Sequence, residues 1–104
     1  MNEQIVILQN VLTGHSLRKS AYYDALAQLG LLKRDYKKYM TTSPIDADAE
    51  LARMDECDLD GCAALLTMMI AEDNFVEGAF DERLYLKQPQ KCVLRMLYLI
   101  EGGK

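Results

Sequence analysis

The apolar segment that includes LLTMMI limits the fold of this chain more than any other part of the sequence. Its apolar side chains recur so that they go most of the way round a helix. They are Leu59, Cys62, Leu65, Leu66, Met69, Ile70 and Val76. A helix that is apolar on nearly all sides has to be surrounded by other elements. The segment therefore predicts a buried central helix over about residues 59–77.

Helical spacing also predicts two helices before this segment. A first helix stops at Gly14 and lines one face with Ile5, Leu8, Val11 and Leu12. Ser16 is expected to cap a second helix that ends at Gly30. The inward residues of this second helix are predicted to be Leu17, Ala21, Leu26 and Leu29.

Further helices are predicted around and after the central one. Ser43-Pro44 indicates a helix start, with the serine as cap, for a surface helix near residues 44–54 that buries Ile45, Leu51 and Met54. A helix from about Ala79 to Lys87 follows the central one. Pro89 then opens a last helix, whose predicted core residues are Val93, Leu94, Leu97 and Ile100.

Strand signals are poor, because no apolar and polar residues alternate over a sustained stretch. The length of 104 residues is that of one small domain. We therefore expect an all-α fold, a compact bundle of five or six helices around the central helix. Residues 1–104 form a single helical domain in this interpretation.

Charge is distributed unevenly along a chain whose formal net charge is −4. Residues 1–40 carry six Lys or Arg against three Asp or Glu, whereas residues 41–104 carry six against thirteen. Seven of those acids lie within residues 46–60, where Arg53 is the one basic residue. They are Asp46, Asp48, Glu50, Asp55, Glu56, Asp58 and Asp60. This acidic segment is the first candidate interaction face.

Part of the acidic segment also resembles the start of a calcium-binding loop. In such a loop a bidentate Glu closes the cage at position 12, but counting from Glu56 this position is Thr67. The simpler interpretation is that Asp58 caps the central helix. Asp60 then interacts favourably with the positive end of the helix dipole.

A second group of acids stands near the predicted end of the central helix. Glu72, Asp73 and Glu77 oppose the helix dipole there, at a cost of about 0.3–1 kcal/mol each. Arg83 or Lys87 on the next helix is expected to compensate by an ion pair that closes the turn. A binding site formed by Glu72, Asp73, Glu77 and Arg83 is the alternative. Phe75 is interpreted as a core anchor, and Gly78 as the helix stop.

A third candidate is the segment KRDYKKY, which interleaves cations with aromatic rings. Phosphate contact combined with base stacking uses this mixture, and so does a solvated helix face. The candidate nucleic-acid contacts are Lys33, Arg34, Tyr36, Lys37, Lys38 and Tyr39.

Catalytic and metal-binding patterns are weak. His15 is the single histidine, and no cysteine or acid is placed near it by the sequence. Cys57, Cys62 and Cys92 lack the spacing of a zinc site, and the last two are expected in the core. We therefore expect neither a metal nor a cofactor, and catalysis by carboxylates is the least favoured function.

Compartment follows from the same composition. No apolar run approaches the ~20 residues that a bilayer span needs, and the first residues resemble no secretion signal. Three cysteines cannot all pair within one chain, which favours reduced thiols in the cytoplasm.

Several of these residues resemble a bacterial domain-of-unknown-function family. They are Leu65-Leu66-Thr67, Asp73, Phe75, Gly78 and the closing Leu94-Arg95-Met96-Leu97, with Tyr22-Tyr23, Asp35-Tyr36 and Tyr39 upstream. The resemblance covers about residues 16–100, but Ala71 and Asn74 stand where the family usually has Arg and His or Arg. It implies a fold, and it implies no activity.

The preferred hypothesis is a non-enzymatic interaction protein that binds a protein partner through charged faces. A row of carboxylates can imitate a phosphate backbone, as it does in small acidic inhibitors that phages and mobile elements carry, including anti-CRISPR proteins. The partner would then be a nucleic-acid-binding protein. Direct nucleic-acid binding through residues 33–39 is the alternative, and a homodimer through the first or last helix is a further hypothesis. No membrane partner is expected.

Overall fold

The computed structural model describes residues 2–14 and 18–102, and all regular structure in these ranges is helical. The α-helices found there are α1 (Glu3–Thr13), α2 (Lys19–Leu29), α3 (Ala47–Leu51), α4 (Leu59–Glu72), α5 (Ala79–Tyr85) and α6 (Gln88–Ile100). Two 3₁₀ helices accompany them, at Tyr36–Tyr39 and Met54–Glu56. The predicted all-α bundle of five or six helices is confirmed.

Helix α4 occupies the centre of the bundle. Nine consecutive residues, 62–70, are buried, so the helix is enclosed on all sides for more than two turns. Helices α2, α3, α5 and α6 and both 3₁₀ helices pack against it. The one polar side chain in this stretch is Thr67, whose hydroxyl donates to the Ala63 carbonyl over 2.8 Å. The burial of the central helix is confirmed.

The end of α4 differs from the prediction, because the helix stops at Glu72 and not near Glu77. The side chain of Asp73 accepts a hydrogen bond from the Phe80 amide over 3.0 Å, so the chain turns back there towards α5. Gly78 lies in this turn with φ of 81°, a conformation that glycine adopts without strain.

The interpretation of Phe75 as a core anchor is therefore wrong. Residues 73–78 leave the helix, and the Phe75 side chain is 83% exposed. Val76, which was assigned to the central helix, is 58% exposed for the same reason.

The helix predicted near residues 44–54 is shorter and starts later. Ser43 does not cap it; the cap is Asp46, whose carboxylate accepts from the Ala49 amide over 3.2 Å. The Thr42 hydroxyl accepts from the Asp46 amide over 2.8 Å and so closes the turn before the helix. Leu51 and Met54 are buried as predicted.

The inward faces of α2 and α6 agree with the prediction in part: Leu26, Val93 and Leu97 are buried as expected. In α2 the buried residues are Tyr22, Ala25 and Leu26, and the Tyr22 ring meets Phe80 edge-on with centroids 5.4 Å apart. In α6 the buried residues are Pro89, Cys92, Val93, Met96 and Leu97, whereas Leu94 is 55% exposed. Leu94 is therefore not a core residue.

The predicted second-helix cap Ser16 and inward Leu17 lie outside the described residues, as does His15. In the parts of the chain that the structure does describe, no helix has the length and apolar character needed to cross a membrane.

Replacing Leu66 in the enclosed helix by alanine should lower the free energy of unfolding by about 2–5 kcal/mol, because it leaves a cavity in a fully packed core. Leu94→Ala is the matched control and should change stability by no more than about 0.5 kcal/mol. Urea denaturation followed by circular dichroism measures both. Equal losses in the two variants would contradict the assignment of α4 to the centre.

Candidate functional site

Glu50 does not belong to any exposed acidic face, contrary to the sequence interpretation. Its side chain is 0% exposed, and it accepts hydrogen bonds from the backbone amides and the hydroxyls of Thr41 and Thr42. Arg53 Nη2 donates to the same carboxylate over 3.1 Å. Glu50 therefore fixes the segment before α3 to the body of the protein.

The electrostatics of Glu50 agree with a buried carboxylate that is ionised at neutral pH. Burial by itself raises the pKa of this group, but hydrogen bonds from Thr42, Thr41 and Arg53 outweigh burial and lower the pKa to about 2. The carboxylate thus acts as a buried acceptor for donors of the protein itself.

Four of the other acids in the segment have internal partners. Asp48 pairs with Arg83 and Asp60 pairs with Lys33, each over 2.8 Å. Asp46 caps α3, and Asp58 caps α4 by accepting from the Gly61 amide over 2.7 Å, as predicted for Asp58.

Asp55 and Glu56 complete the acidic segment. Both are exposed, and neither side chain has a hydrogen bond or ion pair with any residue that the structure describes. The surface charge that remains unpaired in this segment is therefore much smaller than the sequence suggests.

The predicted ion pair at the end of α4 is present. Arg83 donates to both carboxylate oxygens of Glu72 over 3.0 Å and also to Asp48 and Gln88. The Arg83 side chain is largely buried in this position, and its hydrogen bond to Glu72 raises the pKa of the guanidinium further. One arginine thus connects α5 with α3, α4 and α6.

The structure does not bring Glu72, Asp73 and Glu77 together as one polar site. Asp73 has its own partners, the Phe80 amide and Lys19 Nζ at 2.9 Å, which lower the pKa of its carboxyl. Glu77 is exposed in the turn, and no described residue forms an ion pair with it. Because the residues from 73 onward leave the helix, the expected repulsion between Asp73 and Glu77 within one helix does not arise.

In the basic segment 33–39, one of the four cations is committed to the fold. Lys33 pairs with Asp60, which raises the pKa of its amine, and its Nζ also lies 5.8 Å from the centre of the Tyr39 ring. The other cations, Arg34, Lys37 and Lys38, are exposed and form no ion pair within the described ranges. Tyr36 and Tyr39 are half-buried.

A surface groove runs between α6 on one side and α3 with the following 3₁₀ helix on the other. Its volume is about 860 Å³. Asp48 and Asp55 stand on the α3 side, and Lys91 and Arg95 stand on the α6 side. This pairing of opposite charges across one groove was not predicted from the sequence.

Apolar side chains line the same groove. Leu51 and Met54 contribute from the α3 side, and Leu94 and Tyr98 from α6. Leu94 is 55% exposed and Tyr98 is 49% exposed, although both are large apolar residues on a helix with a well-formed core face. The groove therefore offers apolar surface that the fold itself does not cover.

One charged side chain on each wall of the groove is held in place by the fold. Arg83 fixes Asp48, and the Arg95 guanidinium donates to the Cys57 carbonyl over 3.1 and 3.3 Å. Arg95 also lies 5.6 Å from the centre of the Tyr98 ring. Groups that are fixed before binding lose little conformational entropy when a ligand arrives.

One sequence signal could have indicated this groove. Lys91, Leu94, Arg95 and Tyr98 recur at spacings of three and four residues, which places them on one face of α6. That face is offset from the buried Val93 and Leu97, so α6 has a second, amphipathic stripe.

Metal and thiol chemistry receive no geometric support. Among residues 2–14 and 18–102, no group of three or more His, Cys, Asp or Glu side chains is arranged to hold a metal ion. Cys57, Cys62 and Cys92 are free thiols buried in the core, as expected for the last two. The Cys92 thiol donates to the Cys62 carbonyl over 3.0 Å.

Comparison of the chain with protein-family models, with curated proteins and with solved structures gave no match. The resemblance of about residues 16–100 to the domain-of-unknown-function family therefore stays a prediction.

Replacing Glu50 by glutamine should lower the free energy of unfolding at pH 7 by about 1–3 kcal/mol, because several buried donors lose their anionic acceptor. The folded pKa of about 2 lies below the ordinary 4.5, so the carboxylate stabilises the fold above pH 4.5 and loses this effect as the pH falls towards 2. Chemical denaturation across this pH window should show the difference between the wild type and Glu50→Gln shrinking.

The control is Glu56→Gln, which removes an exposed and unpaired charge and should leave stability nearly unchanged. A difference between the wild type and Glu50→Gln that stays constant from neutral to strongly acidic pH would contradict the assigned role of Glu50.

Proposed function

We propose that this chain is a non-enzymatic interaction protein that binds a protein partner in the groove between α6 and α3. The observation that carries the proposal is the exposed pair Leu94 and Tyr98 between walls of opposite charge. Apolar surface with a polar rim is typical of protein-binding sites. Three unpaired, buried thiols fit a reducing compartment such as the cytoplasm.

The groove favours an amphipathic helix as the segment that the partner inserts. Such helices insert an apolar face, with anchor residues three or four positions apart, into an apolar groove. Leu94 and Tyr98 supply the apolar surface that these anchors would contact. A basic group of the partner would meet Asp55, and an acidic group would meet Lys91. The opposite charges of the two walls would then fix the direction in which the helix lies.

The non-enzymatic part of the proposal rests on the state of the candidate acid–base groups. Glu72 is bound on both oxygens by Arg83, and Asp73 is bound by Lys19 and by the Phe80 amide. Carboxylates whose oxygens are occupied by such donors suit a structural role better than proton transfer.

The narrower hypothesis of a phage-type, nucleic-acid-mimicking inhibitor needs a row of unpaired carboxylates. Glu50 is buried, and Asp48 and Asp60 are neutralised by neighbouring cations. Support for mimicry is therefore limited to Asp55 and Glu56, and the groove is the stronger basis for recognition. A nucleic-acid-binding protein remains one class of partner within the proposal.

Capture of a partner from bacterial lysate should depend on the groove and not on exposed residues elsewhere. Leu94→Ser and Asp55→Lys should each reduce recovery of the partner at least about tenfold, a loss of about 1.4 kcal/mol. Quantitative mass spectrometry of proteins retained by the immobilised chain measures this recovery. Raising the salt concentration should weaken capture, since charges form the rim.

Each variant has a matched control outside the groove. Leu86→Ser removes another half-exposed leucine, and Glu56→Lys makes the same charge reversal one residue away from Asp55. Equal recovery of the partner by all four variants would refute the groove as the binding site.

A further inference from the structure

A second, smaller pocket lies between α2, the basic segment 33–39 and α4. Its volume is about 230 Å³, and it shares no lining residue with the groove beside α6. Tyr23 of α2, Arg34 and Tyr36 of the basic segment, and Asn74 after α4 all line it. The site is therefore independent of the proposed function.

Two aromatic rings and an apolar base give this pocket a surface suited to a flat ligand. Tyr23 is 40% exposed and Tyr36 is half-buried, so both present ring surface at the protein exterior. Ile70 and Ala71 of α4 add apolar surface to the same pocket. Stacking on aromatic side chains binds any nucleobase, because every base has a π-face.

The polar groups around the pocket suit a base that carries a phosphate. Arg34 is exposed without an ion pair, and the Asn74 side chain makes no hydrogen bond within the residues that the structure describes. An asparagine amide both donates and accepts, as the edges of bases require, and an arginine binds phosphate through two parallel donors.

Local charge points the same way. No Asp or Glu is among the residues that line the pocket, although the chain contains sixteen acids. Lys37 and Lys38 follow Arg34 closely in the chain and are exposed and unpaired within the described ranges. The most basic surface segment of an acidic protein thus adjoins its aromatic pocket, the combination that single-stranded nucleic-acid sites use.

We propose that this pocket binds one nucleobase, stacked at Tyr23 and Tyr36, with the attached phosphate held by Arg34. Sites for drug-sized ligands typically have volumes of about 300–1,000 Å³. This pocket is smaller, which suits a single ring system. The shared chemistry is that of a nucleotide, and the source is a free mononucleotide or one base of a single strand. In a single strand, Lys37 and Lys38 contact the next phosphates.

The pocket can be blocked without removing any of its polar groups. Ala71 is a half-buried residue of α4 that lines the pocket with a small side chain. Ala71→Leu keeps a strong helix former and adds volume inside the pocket. Ala27→Leu is the matched control, since it makes the same change on an exposed position of α2 that does not line the pocket.

The test is a titration of the ¹⁵N-labelled full chain with four nucleoside monophosphates and with a short single-stranded oligonucleotide, read as amide shifts. We expect saturable shifts at Arg34, Tyr36 and Asn74. Affinity should fall about tenfold or more in Tyr23→Ser, Ala71→Leu and Arg34→Gln, and stay within about twofold in Tyr85→Ser, Ala27→Leu and Lys87→Gln. Thermal melting confirms that each variant is folded.

The two ligand arms distinguish the source of the base. Equal affinity per site for monophosphate and oligonucleotide assigns a free nucleotide. An oligonucleotide that binds at least about tenfold tighter, with an affinity that falls as salt is raised, assigns a single strand.

Three results would overturn the proposal. The first is the absence of saturable shifts at the pocket with every nucleotide and with the oligonucleotide at ligand concentrations up to about 5 mM. The second is equal binding of ribose 5-phosphate, which lacks a base. The third is binding that Ala71→Leu and Tyr23→Ser leave unchanged.

Discussion

The enclosure of α4 is the constraint on which the rest of this structure depends. Nine consecutive buried residues leave α4 almost no surface for solvent between its first and last turns, and every element packed on it must turn its own apolar side inward. Functional groups therefore lie mainly on the outer surfaces of the neighbouring helices, on the segments that join them and at the C-terminal end of α4. Both candidate sites lie where such outer elements meet, one beside α6 and one beside α2.

Charge in this protein serves first to connect its elements. Glu50 and Arg83 are removed from solvent to different degrees, and each has several hydrogen-bond partners, so their cost of desolvation is compensated. Arg83 joins four helices and at the same time fixes Asp48 on the wall of the groove. The same interactions that consume much of the acidic segment therefore prepare the groove in which a partner would bind.

Local signals in the sequence were enough for the order of the helices, but not for all their ends, and for some contacts close in the chain. The central helix, its cap at Asp58 and the pairing of Glu72 with Arg83 could be predicted from periodicity, capping and dipole arguments. The burial of Glu50 could not, because it depends on Thr41 and Thr42 folding back over α3, and its neighbours in sequence are mostly exposed acids. The apolar character of Phe75 likewise gave a wrong prediction of burial, because a turn fixed by Asp73 places this residue outside the core.

Amide hydrogen exchange of the full chain tests the enclosure of α4 most directly. If this helix is the centre of the bundle, the amides of residues 66–70 should exchange only by global unfolding, with protection equal to the full free energy of unfolding. The free energy of exchange of these amides should then depend on denaturant concentration as steeply as the free energy of global unfolding does. Exchange of these amides through local opening, faster than in α1 or α6, would contradict the account.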